Sequence, residues 1–370
     1  MKKKFAFLIH PRGIDDLYRR LGNVLGMSEK TGMKYLPKFF PKSISEFALK
    51  YLRGRAGFTV CSHFGVMGKA EGYIIAVLLT GRQIVNLPRH FVKSRIMDAI
   101  LFAQNKLGVS RVGLGAYTSP YTYDGRNVVS DPRITCAITH GDSLASASAV
   151  DAVKKGCDIR NANISKSTIA VVGAYGIIGR ASSILLSKLH PKRMILTGPN
   201  IKKLKQVQDE IKNGETLISQ DNSAILDADI IILATTAPGA IVSSGMLKQN
   251  AIVVDMAQPY NLNEEVCEHR PDVLRIDGGF MSIPVDLGFD MGPPVGTTFA
   301  CLTETMVSTL VQDAENHVGL VDIDFANLIY TQAKSLGFKL APSTSFSKPI
   351  PELYRQPLVA PRRVLQPVKI

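Results

Sequence analysis

Thr168–Lys188, TIAVVGAYGIIGRASSILLSK, is the stretch around which the chain is organised. Thr168 and the apolar run Ile169–Val172 have the composition of a strand buried on both faces. Gly173, Gly176 and Gly179 follow at once, and then Ile178, Ala181, Ile184, Leu185 and Leu189 recur on one side of a helix. Strand, glycine turn and helix in that order form the phosphate-binding corner of a Rossmann unit. Gly173 permits the tight turn, Gly176 lets a pyrophosphate approach the backbone, and Gly179 lets helix and strand pack closely. Three glycines alone say little. In this setting they predict a dinucleotide site, with Tyr175, Ile177 and Ile178 around it, rather than an ordinary βα turn.

Outward from the corner the chain alternates strand and helix. Segments 169–172, 194–196, 216–219, 229–234, 252–255 and 273–276 read as strands with helical stretches between most of them. That pattern predicts a doubly wound parallel sheet, with Ala234 and Thr235 at a strand end as further cofactor contacts. Because the corner begins only near residue 173, the chain before it must be a separate unit. The expected division is an α/β substrate or carrier-docking domain over 1–163 and a Rossmann domain over 164–294. A C-terminal helical segment over 295–340 and a Pro-rich basic tail over 341–370 complete it. In the first unit, 5–10, 58–64, 73–80 and 112–116 read as strands, the second and third joined across Gly65 and Gly68. Helices are expected over 15–25 and 88–107, and an Ala- and Ser-rich helix runs to Lys155 with Asp142 or Ser143 as its cap. Two more are expected over 297–312 and 322–336. The final 30 residues hold six prolines and five basic residues against one acid, which predicts an extended or disordered tail.

Composition narrows the class. Apolar content of 45% and charged content of 20% describe a globular protein, and the longest apolar run, Tyr73–Leu79, is too short to span a bilayer. Lys2–Lys4 followed by Phe5–Ile9 mimics a signal peptide, but the apolar stretch is short and His10-Pro11-Arg12 closes it. Five cysteines without a CxxC pair fit a reducing cytoplasm better than disulfides or zinc. Of the net charge of +13, +9 lies in residues 1–60, which carry 13 Lys and Arg against four acids. Such a face either attracts an acidic partner (a carrier protein or an anionic membrane surface) or is plain solvated surface. No nucleic-acid motif accompanies it.

The cofactor follows from what the second strand of the Rossmann unit lacks. A site that prefers NAD usually ends that strand in Asp or Glu, bonded to the ribose 2′-hydroxyl. Here it ends Leu196-Thr197-Gly198-Pro199-Asn200, followed by Lys202, Lys203 and Lys205. No carboxylate repels a 2′-phosphate, and Thr197, Asn200 and Lys202 are placed to receive one, so NADPH is expected. The lysines alternatively form the solvated face of a helix. For the chemistry, Cys301 lies just inside the start of a helix that follows Gly292-Pro293-Pro294, where the dipole and free N–H groups favour a thiolate. It is either a nucleophile or a small buried apolar residue.

Four motifs together resemble one family. Gly113–Ser119 (GLGAYTS), Thr139–Ser143 (THGDS), AVVGAYGIIG at 170–179 and TTFACLTETM at 297–306 occur in the order and at the separations found in long-chain acyl-(acyl-carrier-protein) reductases, the aldehyde-forming enzymes of cyanobacterial alkane synthesis. The resemblance covers roughly 5–340. It implies NADPH-dependent reduction of a fatty acyl thioester, on acyl carrier protein or CoA, with Cys301 as the acyl acceptor. Departures are local. Tyr175 and Ile177 stand where the family's glycine loop commonly has Thr and Asp, Pro199 stands where members have Arg, and the family's GN[ST] turn is Gly141-Asp142-Ser143. Ser119 is then either an oxyanion donor or a turn residue, and His140 either a proton donor or a structural turn histidine. Two other plans compete. One is a shikimate-dehydrogenase-like or amino-acid dehydrogenase, for which a Lys–Asp pair would be expected in the first domain. The other is a non-enzymatic NADP-binding scaffold.

Overall fold

Two sheets carry the chain. A computed structural model describes residues 3–18, 38, 40–237 and 239–350. The first sheet has the order β2–β3–β1–β4–β5, built from β1 (Lys3–Ile9), β2 (Phe58–Val66), β3 (Ala70–Val77), β4 (Arg111–Leu114) and β5 (Ala137–Thr139). β1 runs parallel to β3 and β4, and β4 to β5; β2 alone is antiparallel, as the hairpin partner of β3. That hairpin turns at Met67-Gly68, and Gly65 belongs to β2 rather than to the turn. Alternation along β1 sorts its side chains. Ala6 and Leu8 pack with the core of α3 (Arg89–Phe102), while Phe5 and Phe7 face the middle of the molecule.

The second sheet is parallel throughout, in the order β11–β10–β9–β6–β7–β8. Its strands are β6 (Thr168–Val172), β7 (Arg193–Thr197), β8 (Glu215–Ser219), β9 (Ile230–Leu233), β10 (Ile252–Asp255) and β11 (Leu274–Asp277). This is the doubly wound Rossmann order, with the glycine corner on its central strand. β6, β9 and β10 are buried at every position, which is why they read as unbroken apolar runs.

Among the described residues the other helices of six or more residues are α1 (Lys42–Leu49), α2 (Gly81–Asn86), α4 (Asp142–Arg160), α5 (Ile177–Ser187), α6 (Ile201–Glu210), α7 (Glu264–His269), α8 (Ala300–Leu310) and α9 (Ile323–Ser335). α4 joins the sheets. It starts beside β5 and packs on α5, α8, α9 and β10. Its Ala, Ser and Gly composition permits this crowding: a Cβ at Gly156 would stand 2.7 Å from Ile252 Cγ2. α8 returns to the first sheet and lies on β1 and β4, where Thr305 fills the space a side chain at Gly113 would need. Among the described residues no helix is long and apolar enough to cross a membrane.

Three expectations need correction. Residues 297–299 are β13, paired antiparallel with β12 (Phe280–Ser282), so the helix begins at Ala300. Neither Asp142 nor Ser143 caps α4; Gly141 holds that position at φ +80°, and no side chain makes the capping bond. The tail is not wholly extended, because Thr344–Ser345 and Lys348–Pro349 form a hairpin. Asp277 fixes that hairpin by accepting from Thr344 Oγ1 (2.8 Å), Phe346 N (3.2 Å) and Ser347 N (2.7 Å). Of the helix expected over 15–25, residues 14–18 are helical, and the rest lies outside the described residues, as do Lys34 and the tail from 351 on.

Candidate active site

The strand ends of both sheets open onto one cleft of about 1800 Å³. A single-ligand pocket holds roughly 300–1,000 Å³, so this cleft has room for a dinucleotide and a second ligand. On the Rossmann side it is lined by Gly173, Tyr175, Gly176, Ile177, Ile178, Ala234 and Thr235. Gly173 sits at φ +79°, and a Cβ there would meet Ala234 O and Thr235 Cγ2 at 2.7 Å. At Gly179 it would stand 2.2 Å from Gly173 O, so this glycine packs α5 onto the turn instead of facing the cleft. Gly176 takes the N-cap position of α5 without a side-chain cap, leaving the helix N-terminus open to an anion. The corner therefore fits a pyrophosphate.

The 2′-phosphate residues behave differently. Thr197 is fully buried and its hydroxyl donates to Asn222 Oδ1 (2.8 Å), so it closes the end of β7 and is no phosphate ligand. Asn200 caps α6, its Oδ1 accepting from Lys203 N (3.1 Å), and Lys202 is exposed on the same helix. Neither lines the cleft; Gly198, Pro199 and Asn222 do. Tyr175 rests on Gly198, with Lys203 5.5 Å from its ring centroid. No carboxylate lies between Thr197 and Lys205.

The facing wall holds Cys301, His140, Asp142, Asp124 and Ser119. Cys301 is the second residue of α8 and abuts the THGDS turn so closely that a Cβ on Gly141 would stand 2.3 Å from its Cα. Helix position alone predicts a stabilised thiolate, and the structure reverses that. Burial, then the charges of Asp142 and Glu304, push the thiol up to about 12, against a smaller opposing pull from the Leu302 N–H. The resting group is a thiol. Glu304, one turn on, is fully buried and accepts from Thr139 Oγ1 and from Leu144 N (2.8 Å), which clamps α8 to the turn.

His140 is buried, and burial lowers its pKa. Its Nε2 meets Gly319 O at 3.1 Å; a carbonyl only accepts, so the network assigns the proton to Nε2. Nδ1 then accepts from Asp142 N (3.0 Å). Asp142 Oδ2 also lies 3.1 Å from Nδ1, and two lone pairs at that distance repel. The contact favours the carboxylic acid, which donates to Nδ1. Burial and the nearby charge of Asp124 accordingly raise the Asp142 carboxyl to about 7. Asp124 is itself raised, mainly by burial. Ser119 is buried in the turn, where Thr122 ties down its carbonyl, and lines the cleft.

Sequence reasoning placed Cys301, His140 and Ser119 on this wall's motifs but treated Asp142 only as a cap. The signal was there: Asp where the resembling family has Asn. It also missed Asp124 and Asn222, and it gave Cys61, which lines the cleft as well, no role. Among the described residues no lysine lines the cleft.

A family model described as shikimate / quinate 5-dehydrogenase matches residues 156–277. That match and the glycine corner agree on a Rossmann-type fold over this stretch. The long-chain acyl-[acyl-carrier-protein] reductase of Synechococcus elongatus is 29% identical over 230 residues, 58% of this chain and 65% of that one. Aminotransferase PigE of a Serratia species is 25% identical over 256 residues, 66% of this chain and 29% of that one. The chain thus spans less than two thirds of the length of these curated relatives. L-Tryptophan dehydrogenase of Nostoc punctiforme, a solved structure, is similar with a TM-score of 0.41 and 14% identity, covering 92% of this chain and 81% of that one.

Proposed function

We propose that this protein reduces an acyl thioester to an aldehyde with NADPH, through an acyl group held on Cys301. The observation that carries the proposal is the placing of Cys301, with the Asp142–His140 pair beside it, in the wall of the cleft that also contains the glycine corner. Gly173, Gly176 and the N-terminus of α5 would hold the pyrophosphate, and the carboxylate-free end of β7 suits NADPH. When bound, the dinucleotide supplies hydride.

The chain's own residues handle the acyl group and one proton. Asp142 rests as the acid at His140 Nδ1 and ionises as pH rises through about 7; as the sulfur attacks the thioester carbon, the S–H proton passes to that ionised form. The C–S bond to the carrier then breaks, and the carrier thiolate takes that proton. The transfer runs uphill, but part of the rise at Cys301 is the Asp142 charge that this proton neutralises. Ser119 and the Leu302 N–H are the donors nearest to hand for the oxyanion. His140, held neutral by burial and fixed in place by Gly319 O, keeps Asp142 in position.

A second reading rests on the family match over 156–277: a dehydrogenase that never acylates Cys301. That no lysine among the described residues lines the cleft weighs against it. Mass spectrometry after mixing with acyl carrier thioester, without NADPH, decides between the two. An acyl adduct on Cys301 is expected; an unmodified Cys301 favours the second reading.

A further inference from the structure

Most surface helices turn apolar residues inward; α1 does the reverse. Its inner face is polar or small. Ser45 accepts from Tyr18 OH (3.0 Å), Glu46 accepts from Thr80 Oγ1 (2.7 Å), and Leu49 alone is a buried apolar residue. Its outer face and flanks carry Phe40, Ile44, Phe47 and Tyr51, at 55%, 64%, 55% and 59% exposure. Ile44, Phe47 and Tyr51, three and four residues apart, fall in one stripe, and Phe40 stands just ahead of the helix beyond Pro41. Segment 38–55 holds five basic residues and a single acid, Glu46, which is turned inward. Lys50 lies 3.8 Å from the Phe47 ring centroid, and Lys42 pairs with Asp15 at 2.8 Å.

We infer that this face seats the protein on an anionic lipid bilayer. Large apolar side chains standing proud of a basic helix match the boundary between headgroups and acyl chains, where rings enter the apolar layer and cations meet lipid phosphate. A bilayer meets both demands along one plane, phosphate for the cations and acyl chain for the stripe. The placing agrees with a lipid-side entrance. Glu46 is bonded to Thr80 and its backbone carbonyl to Gln83 Nε2, at the head of α2, and Gly81 and Arg82 of α2 line the cleft. The cleft mouth therefore adjoins the seated face.

The test is co-sedimentation of the full chain with phosphatidylcholine vesicles, with and without phosphatidylglycerol, over a range of salt. Wild type is expected to pellet with the anionic vesicles and to release as salt rises, since the Debye length is only ~10 Å at 0.1 M. The triple variant Ile44→Ser, Phe47→Ser, Tyr51→Ser is expected to lose at least ~tenfold in partitioning while melting like wild type, because these side chains support no core. Lys50→Glu with Arg53→Glu is expected to remove the preference for anionic lipid. Wild type left in the supernatant, or a triple variant that pellets as wild type does, overturns the inference. So does a dimer in solution that the triple variant converts to monomer, which would mean a second copy covers the stripe. Loss in the triple variant of binding to an acidic carrier protein, with no vesicle binding by wild type, would mean a protein partner and overturns it too.

Discussion

Replacing Asp142 with Asn tests the proton-holding role through Cys301 itself. Asn keeps the shape and donates its amide to His140 Nδ1, but it carries no charge and accepts no proton. In the wild type the carboxyl ionises as pH rises through about 7, and its charge then pushes the Cys301 thiol further up. The groups facing the pair are Asp124, Glu304, Arg126 and His140, and all remain in the variant. One like charge a few ångströms away is worth on the order of one pKa unit in such a site, or roughly tenfold in thiolate. Iodoacetamide labelling of Cys301, resolved by peptide mass spectrometry, reads that thiolate without substrate or cofactor. Below pH 7 the two proteins should label at equal rates. Above it the wild type should lag, so that by pH 9 the variant labels about tenfold faster. Aldehyde formation should move the other way and fall at least ~tenfold. A loss of packing would change both readouts in the same pH-independent manner. Parallel labelling profiles from pH 6 to 9 would refute the coupling. Normal labelling behaviour without aldehyde formation by the wild type would refute the proposed reaction and leave the coupling intact.

Cys301→Ala should abolish aldehyde formation while the dissociation constant for NADPH, read by fluorescence, stays within ~twofold; half of wild-type turnover would exclude the covalent route. Gly179→Ala puts a methyl 2.2 Å from Gly173 O. It should weaken NADPH binding at least tenfold and cost about 1–3 kcal/mol in denaturant titration. Asp272 is held down to about 2 by the fork of Arg270. Its stabilising effect is present above the unfolded value near 3.8 and is lost as pH falls through 2. Solvent screening of this partly exposed pair discounts the shift, so Asp272→Asn should cost about 1 kcal/mol near neutrality, with the melting curves of the two proteins converging below pH 2.

The Rossmann half is legible in sequence because its signals are local: a buried run, three glycines and a helix follow one another without a gap. β10 coincides with its apolar run, Ile252–Asp255, for the same reason. Features set by distant residues do not show. Thr197 loses its hydroxyl to Asn222, 25 residues on, and nothing in the neighbourhood of either announces it. Cys301 has the local dipole of a thiolate site, but burial by the THGDS turn and the charge of Asp142 outweigh it. Asp142 looks like a cap because Asp before an apolar run usually is one; the left-handed Gly141 moves it inside the helix. The stripe on α1 has helical period, and period cannot say which face is inward.

The manner in which α8 covers the first sheet bears on how the chain is made. Phe5 and Phe7 of β1 share a core with Leu302, Met306 and Val307, and Gly113 of β4 lies against Thr305. A ribosome has therefore emitted every strand of the first sheet, and then the whole Rossmann domain, before the helix that shields that sheet exists. At roughly 5–20 residues per second, the interval between Leu114 and Leu310 lasts roughly 10–40 s. The second sheet to be synthesised can close first, because every contact of its glycine corner, out to Thr235, has by then been made available. The first must wait with two phenylalanines uncovered, long enough to need a chaperone or to meet another nascent chain.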